Sequence, residues 1–164
     1  LEEDRIAYAS ALVLGLNDAL VELTGALAGL TLALQNSRLV ALTGIIVGFA
    51  ASLSMAASSY LSSKEDDQEV KSPFKSALYT GFAYIITVAL LILPYFIFSS
   101  IYVSLAVMLS LALLIILAYT FYITTAKSLK FWRRFFEMAA ISVTVAVVSF
   151  GVGYLLRMFF GVEV

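Results

Sequence analysis

Five long apolar stretches constrain this chain more than any other feature. They run over about 6–34, 39–61, 74–98, 101–125 and 135–160. Each reaches the roughly 20 residues that an α-helix needs to cross the hydrocarbon core of a bilayer. A spanning β-strand is about half that length and alternates apolar with polar side chains, a pattern that none of the five follows. The chain has 164 residues, 62% of them hydrophobic and 13% charged, where soluble domains carry roughly 45–50% and 25%. No water-soluble core of that size buries so much apolar surface. The fold class is therefore all-α: a polytopic membrane protein with five transmembrane helices in a single domain over 1–164. A soluble enzyme, a disordered chain and a secreted disulfide scaffold are excluded.

The links between the helices give the topology. Gln35-Asn36-Ser37-Arg38 and Ser99-Ser100 are tight turns that make antiparallel hairpins. The longer links, KEDDQEVKSPFK (64–75) and AKSLKFWRR (126–134), carry most of the charge. Arg5, Lys64, Lys71, Lys75, Lys127, Lys130, Arg133 and Arg134 fall on one side, against Arg38 and Arg157 on the other. The positive-inside rule then predicts a cytoplasmic N-terminus and an external C-terminus. Tyr95 and Tyr102 flank the outer boundary, Tyr122 and Trp132 the inner one, as interfacial aromatics do. Five helices do not divide into two equal inverted repeats, so a pseudo-two-fold axis requires a homodimer. The first residue is Leu1 and LEEDR is acidic, unlike the basic start of a signal peptide. A further N-terminal domain is compatible with that start.

Chemistry is narrowed by what is missing. There are no cysteines and no histidines, which removes thiolate ligands, imidazole relays and Ser-His nucleophiles. The net charge of −1 predicts no nucleic-acid partner. No phosphate-binding loop or other cofactor motif is visible. The expectation is a protein that is not an enzyme and holds no permanent cofactor.

Against that background, Asn17, Asp18 and Glu22 stand out inside the first apolar stretch. A carboxylate at mid-bilayer costs at least about 2.5–3.5 kcal/mol. Asp18 and Glu22 lie at i and i+4, so in an α-helix they share a face. Like charges that close do not readily both ionise in a low-dielectric setting unless a cation lies between them. Gly15, Asp18, Glu22, Gly25 and Gly29 succeed each other at spacings of 3, 4, 3 and 4, one stripe in regular helix. The Gly25–Gly29 pair suits close backbone approach, which predicts that the acids face a packed seam. The functional reading is a cation or proton site; the structural one is a protonated pair holding helices together.

The second helix is rich in hydroxyls toward its cytoplasmic end, with Ser52, Met55 and Ser59 on one face. Met is often a flexible gap-filler. At 1.5 Å per residue, however, Asp18 sits about 10–15 Å and Met55 about 9 Å from the cytoplasmic boundary, so a hairpin brings them to similar depth. Carboxylate oxygen with thioether sulfur suits a first-row divalent metal better than Mg²⁺ or Ca²⁺. Asp18, Glu22 and Met55 are the candidate metal ligands. Asn17, Ser52 and Ser59 are candidates for the pathway, and Glu65, Glu69 and Glu137 for a cytoplasmic entrance. The simpler readings are a solvated turn for Glu65 and Glu69, and a helix-start pair with arginine for Glu137. Thr80, Tyr84 and Thr87 either line a path or make interhelical hydrogen bonds. Gly44 and Gly48 serve helix packing.

These segments resemble the vacuolar iron transporter family, which includes calcium-cross-complementer-like and nodulin-like members. Asn17-Asp18-Ala19-Leu20, followed by Gly25 to Leu30, looks like the family's N-D-G-L motif in helix one. Ser54-Met55-Ala56, leading to Tyr60-Leu61-Ser62, looks like its S-M-A-x-G-E-[YF] motif in helix two. Ser72 to Leu78, then Leu93-Pro94-Tyr95, looks like its third helix. The resemblance implies a homodimer with the ion path between protomers, exporting Fe²⁺ and often Mn²⁺ from the cytoplasm in exchange for protons. Asp18 and Met55 match the family's membrane Asp and Met. Ser59 stands where many relatives carry Glu, and Glu22 where plant relatives are usually uncharged. The link between helices two and three is too short for the cytoplasmic metal-binding domain of fungal and plant members, so this is a short form. Some prokaryotic relatives carry an N-terminal ferritin-like domain instead.

The expected function is a proton-coupled divalent transition-metal exporter working by alternating access. Fe²⁺ or Mn²⁺ is the substrate, protons the counter-ion, and the lipid bilayer and a second copy the partners. In a prokaryote the membrane is the plasma membrane. Two other readings use the same residues: a membrane module that docks a ferritin-like iron-handling domain, and a passive cation channel.

Overall fold

The computed structural model describes residues 11–65, 72–127 and 130–160. Among them are five helices long and apolar enough to cross a membrane, and no strand. They are α1 (Ala11–Leu34), α2 (Ser37–Glu65), α3 (Pro73–Ile97), α4 (Ile101–Lys127) and α5 (Phe131–Phe160). α2 runs further into the link than the apolar pattern predicts, and α5 begins earlier, because Lys64, Glu65 and the Phe131–Arg134 turn are readily helical once a spanning segment nucleates them.

Local chemistry sets the ends. Gln35 closes α1 in the left-handed region (φ 48°), its N–H donating to the Thr31 carbonyl at 3.2 Å. That conformation costs an L-residue roughly 1 kcal/mol; the Gln35 side-chain amide donates to the Tyr102 hydroxyl at 3.2 Å. Asn36 then caps α2, its Oδ1 accepting the N–H groups of Arg38 and Leu39 at 3.0 and 3.2 Å. The hairpin turn is thus shorter than expected, because Ser37 and Arg38 are already helical. Pro73 opens α3 at a position where its missing N–H costs nothing. At the other end of α3, the Ser104 hydroxyl lies within hydrogen-bonding distance of the Pro94, Phe98 and Ser100 carbonyls, at 3.2, 3.3 and 3.1 Å. The Pro94 carbonyl also accepts the Phe98 N–H at 3.0 Å, which closes α3; the Phe98 carbonyl, past the helix end, has no further turn of α3 to accept from.

α1 is the axis of the bundle and touches all four other helices. It runs parallel to α3, meeting it at Gly15–Thr80, Glu22–Tyr84 and Thr31–Tyr95. It also runs parallel to α5, where Gly25 lies against Val145 and Gly29 against Ser149 and Gly153. It is antiparallel to α4, through Asn17–Tyr119 and Gln35–Tyr102. α2 lies along α3, with Gly44 facing Leu27 and Ile92, and Gly48 facing Val88. Leu20, Leu23, Leu27, Tyr84, Leu91, Met108 and Ile116 fill the centre.

The outside is as apolar as the inside. Ile46 (70% exposed), Val147 (65%) and Phe159 (77%) are typical of it. Lipid tails are the solvent that accepts such a surface, and helices satisfy their own backbone there. The chain is therefore an integral, multi-pass membrane protein.

Candidate cation site

α1 is not a regular α-helix throughout. Residues Ala19–Leu23 form a π-helical turn, with Asp18 immediately before it and Glu22 inside it. One extra residue in a turn rotates the downstream part of the helix by about 100°. The result is visible in the packing. Gly15 and Glu22 meet α3, whereas Gly25 and Gly29 meet α5. The five residues that regular spacing puts on one stripe are thus divided between two neighbours, and the acids lie where the division occurs.

Glu22 is the twelfth residue of the 24-residue span, at its middle. The Asp18 and Glu22 carboxyl groups, one turn apart on α1, are close enough to interact electrostatically. Glu22 Oε2 accepts a hydrogen bond from the Tyr84 hydroxyl at 3.0 Å, and Tyr84 is fully buried on α3. Beside the acids, Asn17 Nδ2 donates to the Tyr119 hydroxyl of α4 at 3.3 Å, while Asn17 Oδ1 is buried with no hydrogen-bond partner among the described residues. Asp18 is half-buried and Glu22 is exposed on the single chain. The packed seam expected around both acids is therefore incomplete within one chain: Tyr84 of α3 covers one flank of Glu22 and the other is open.

No positive charge among the described residues neutralises the pair: the one ion pair they make is Arg134–Glu137, at 3.4 Å on the surface of α5. Nor do the described residues bring a third Asp, Glu, His or Cys to the site. Two carboxyl groups, four oxygens in all, receive one hydroxyl donor from the described residues. Such a set has acceptor capacity to spare for a hard or borderline cation, and leaves the coordination shell incomplete.

Met55 lies close by but not in the same cavity. It is half-buried and lines a space of about 240 Å³ with Ala11, Leu14, Ser58, Ser62 and Ser63. Leu14 is one turn before Asp18 on α1, so Met55 and the acids border α1 at successive levels. Ser59 and Ser76 also line this space. Their hydroxyls are 3.0 Å apart, and the Thr80 hydroxyl lies 2.9 Å from Ser59 Oγ and 3.1 Å from the Ala11 carbonyl. Ser59 is thus tied into an α1–α2–α3 hydroxyl network.

The other candidates are dispersed. Ser52 bonds its own helix, donating to the Phe49 carbonyl at 2.7 Å, and faces a separate groove beside Gly81. Glu65 is exposed at the end of α2, Glu69 lies outside the described residues, and Glu137 is held by Arg134. Thr87 donates to the Ala83 carbonyl at 2.8 Å, within its own helix. Tyr119 is a member of the site that sequence reasoning misses; a hydroxyl deep in the most apolar stretch is the only signal it gives.

A family model described as the VIT family matches residues 9–72 and 65–154, two overlapping segments that cover nearly the whole bundle and contain every residue of the site. No curated protein matches the chain. Five spanning helices and that match agree with the motifs around Asp18 and Met55, and on them the chain belongs to the VIT family, a family of membrane metal-ion transporters.

Proposed function

We propose that the protein exports divalent transition-metal ions, Fe²⁺ and also Mn²⁺, from the cytoplasm in exchange for protons. The observation that carries this reading is the Asp18–Glu22 pair. It lies at mid-span, is steadied by Tyr84, and has no cationic side chain paired with it among the described residues. Acids kept at that depth without a partner are costly, and a transported cation is the partner that offsets the cost. Two carboxyl groups this close do not readily both ionise at low dielectric, so one keeps a proton, and a divalent ion arriving between them displaces it. That exchange is the elementary step of an antiporter.

The exposed flank of Glu22 fits a homodimer in which a second α1 covers it and doubles the acids to four around a two-fold axis. The Met55–serine cavity then serves as the stage before the acids, its thioether favouring transition metals over Mg²⁺ and Ca²⁺. Alternating access results if α1 moves against α3 and opens the pair to one side at a time. In this orientation the basic end of the bundle faces the cytoplasm.

The test is metal flux into proteoliposomes under an imposed pH gradient, with an internal pH dye, for wild type, Asp18→Asn and Glu22→Gln. The expected result is Fe²⁺ and Mn²⁺ uptake with opposite proton movement, reduced at least about tenfold in Asp18→Asn. A tenfold loss corresponds to about 1.4 kcal/mol of binding. Flux with no proton movement would instead mean a passive channel through the same acids. No flux from a folded protein would leave the acids as structural glue in a docking module.

A further inference from the structure

The end of the bundle that carries the two longer links is electrically lopsided. The stretch 64–75 holds three basic and four acidic residues, whereas 127–137 holds four basic residues against Glu137 alone. No acidic residue occurs anywhere from 70 to 136. Charge in a link is what the positive-inside rule supplies in general. What is particular here is how the excess is mounted.

The first two turns of α5 are a rigid aromatic platform. Phe131 and Phe135 stack with centroids 6.0 Å apart, and Trp132 and Phe136 with centroids 5.8 Å apart. Phe131 also meets Phe121 of α4 edge-on at 6.3 Å, which fixes the platform to the bundle. The Phe131–Phe135 pair is partly buried, but Trp132 and Phe136 are 64% and 61% exposed. Arg134 is engaged by Glu137 at 3.4 Å. Lys130 and Arg133 are exposed and have no ion-pair partner among the described residues. Two exposed cations thus sit within a turn of two exposed rings, at the boundary where the helix enters its apolar span. Rings of this kind settle at headgroup depth, which puts both cations at the level of the lipid phosphates.

We propose that Lys130, Arg133 and the Trp132–Phe136 pair form a binding site for the headgroup of an anionic phospholipid. Charge complementarity chooses the ligand: the surface is basic, without an acidic partner for Lys130 or Arg133 among the described residues, and continuous with an apolar face that takes acyl chains. The acidic α2–α3 link at the same end has the opposite preference, so the site is confined to the α4–α5 corner. This assignment does not depend on the transport reading.

Trp132 is the chain's single tryptophan, so its fluorescence reports this corner alone. The experiment reconstitutes the full chain in phosphatidylcholine vesicles doped with brominated phosphatidylglycerol or, at equal mole fraction, brominated phosphatidylcholine. Quenching by the anionic lipid should be stronger, corresponding to a preference of at least about threefold at low salt. Half-molar salt should remove it, because such salt screens exposed charges beyond a few ångströms. Lys130→Gln/Arg133→Gln, which spares Trp132 and the Arg134–Glu137 pair, should abolish the preference; Arg38→Gln at the opposite end should not. Equal quenching by the two lipids in the wild type would overturn the proposal, as would a preference that survives salt or the double substitution. Competition by soluble glycerol phosphate at matched phosphate concentration would also overturn it, assigning the corner to free phosphate. The salt titration needs no substitution and so does not depend on a variant that folds.

Discussion

At the scale of single residues, the site is organised by what each polar atom in the span can pair with. Asp18 and Glu22 are legible in the sequence because an ionisable group in an apolar run is expensive wherever it points. Tyr84 is legible only as a hydroxyl grouped with Thr80 and Thr87 on α3, because tyrosine also occurs in membrane helices as an interfacial anchor or an ordinary packing residue. Its bond to Glu22 emerges only from the packing of α1 on α3. That bond makes a sharp prediction. Tyr84→Phe removes the hydroxyl that donates to Glu22 at 3.0 Å and keeps the buried ring, so no large cavity opens. A hydrogen bond to a charged acceptor is worth about 1.5–3 kcal/mol. With Glu22 no longer fixed, the metal concentration for half-maximal uptake should rise about tenfold, at about 1.4 kcal/mol per decade, while helix content and the maximal rate change little. Concentration-dependent uptake in proteoliposomes, with circular dichroism on the same sample, measures both. Unchanged affinity would mean that Glu22 finds its position without Tyr84.

At the scale of elements, the helices and their order come from hydropathy and length, because a segment that must satisfy its own backbone in lipid has few alternatives. The π turn does not. Spacings of 3 and 4 describe regular helix, and no residue type in Ala19–Leu23 announces an inserted residue; tertiary packing decides it, with α3 claiming Glu22 and α5 claiming Gly25 and Gly29. The α1–α5 contact can be tested by two glycines that lie two residues apart in α5 but on different faces of it. A Cβ on Gly153 would overlap the Gly29 carbonyl, a backbone atom that cannot turn aside, whereas a Cβ on Gly151 meets nothing within 4 Å. Gly153→Ala should separate α1 from α5 and destabilise the protein by about 1–3 kcal/mol, the usual cost of overpacking. Gly151→Ala should be neutral or slightly stabilising, since alanine is the better helix former by roughly 1 kcal/mol. Thermal unfolding of both variants in the same detergent tests the pair. Equal unfolding temperatures would mean that the helices are not held at backbone contact along this seam.

At the scale of the whole molecule, one surface feature does not belong in lipid. The outer face is Ile, Val, Leu and Phe, and a bilayer covers it at no cost; Glu22, exposed at mid-span on the single chain, cannot be left there. A second copy is the cover that the proposed transport cycle uses, with α1 facing α1. The absence of cysteine from the sequence makes this directly measurable. Ala26 lies four residues beyond Glu22 on α1 and is half-exposed, while Phe159 near the end of α5 is 77% exposed. If the two α1 helices meet, oxidising Ala26→Cys in membranes should yield a covalent dimer, because a disulfide forms only when the two Cα atoms come within about 7 Å. Phe159→Cys, more exposed but far along another helix, should stay monomeric under the same oxidant. Cross-linking at 159 without cross-linking at 26 would place the contact on α5 and leave Glu22 facing lipid. The four-carboxylate arrangement would then fail, and the Asp18–Glu22 pair of a single chain would have to hold the ion unaided.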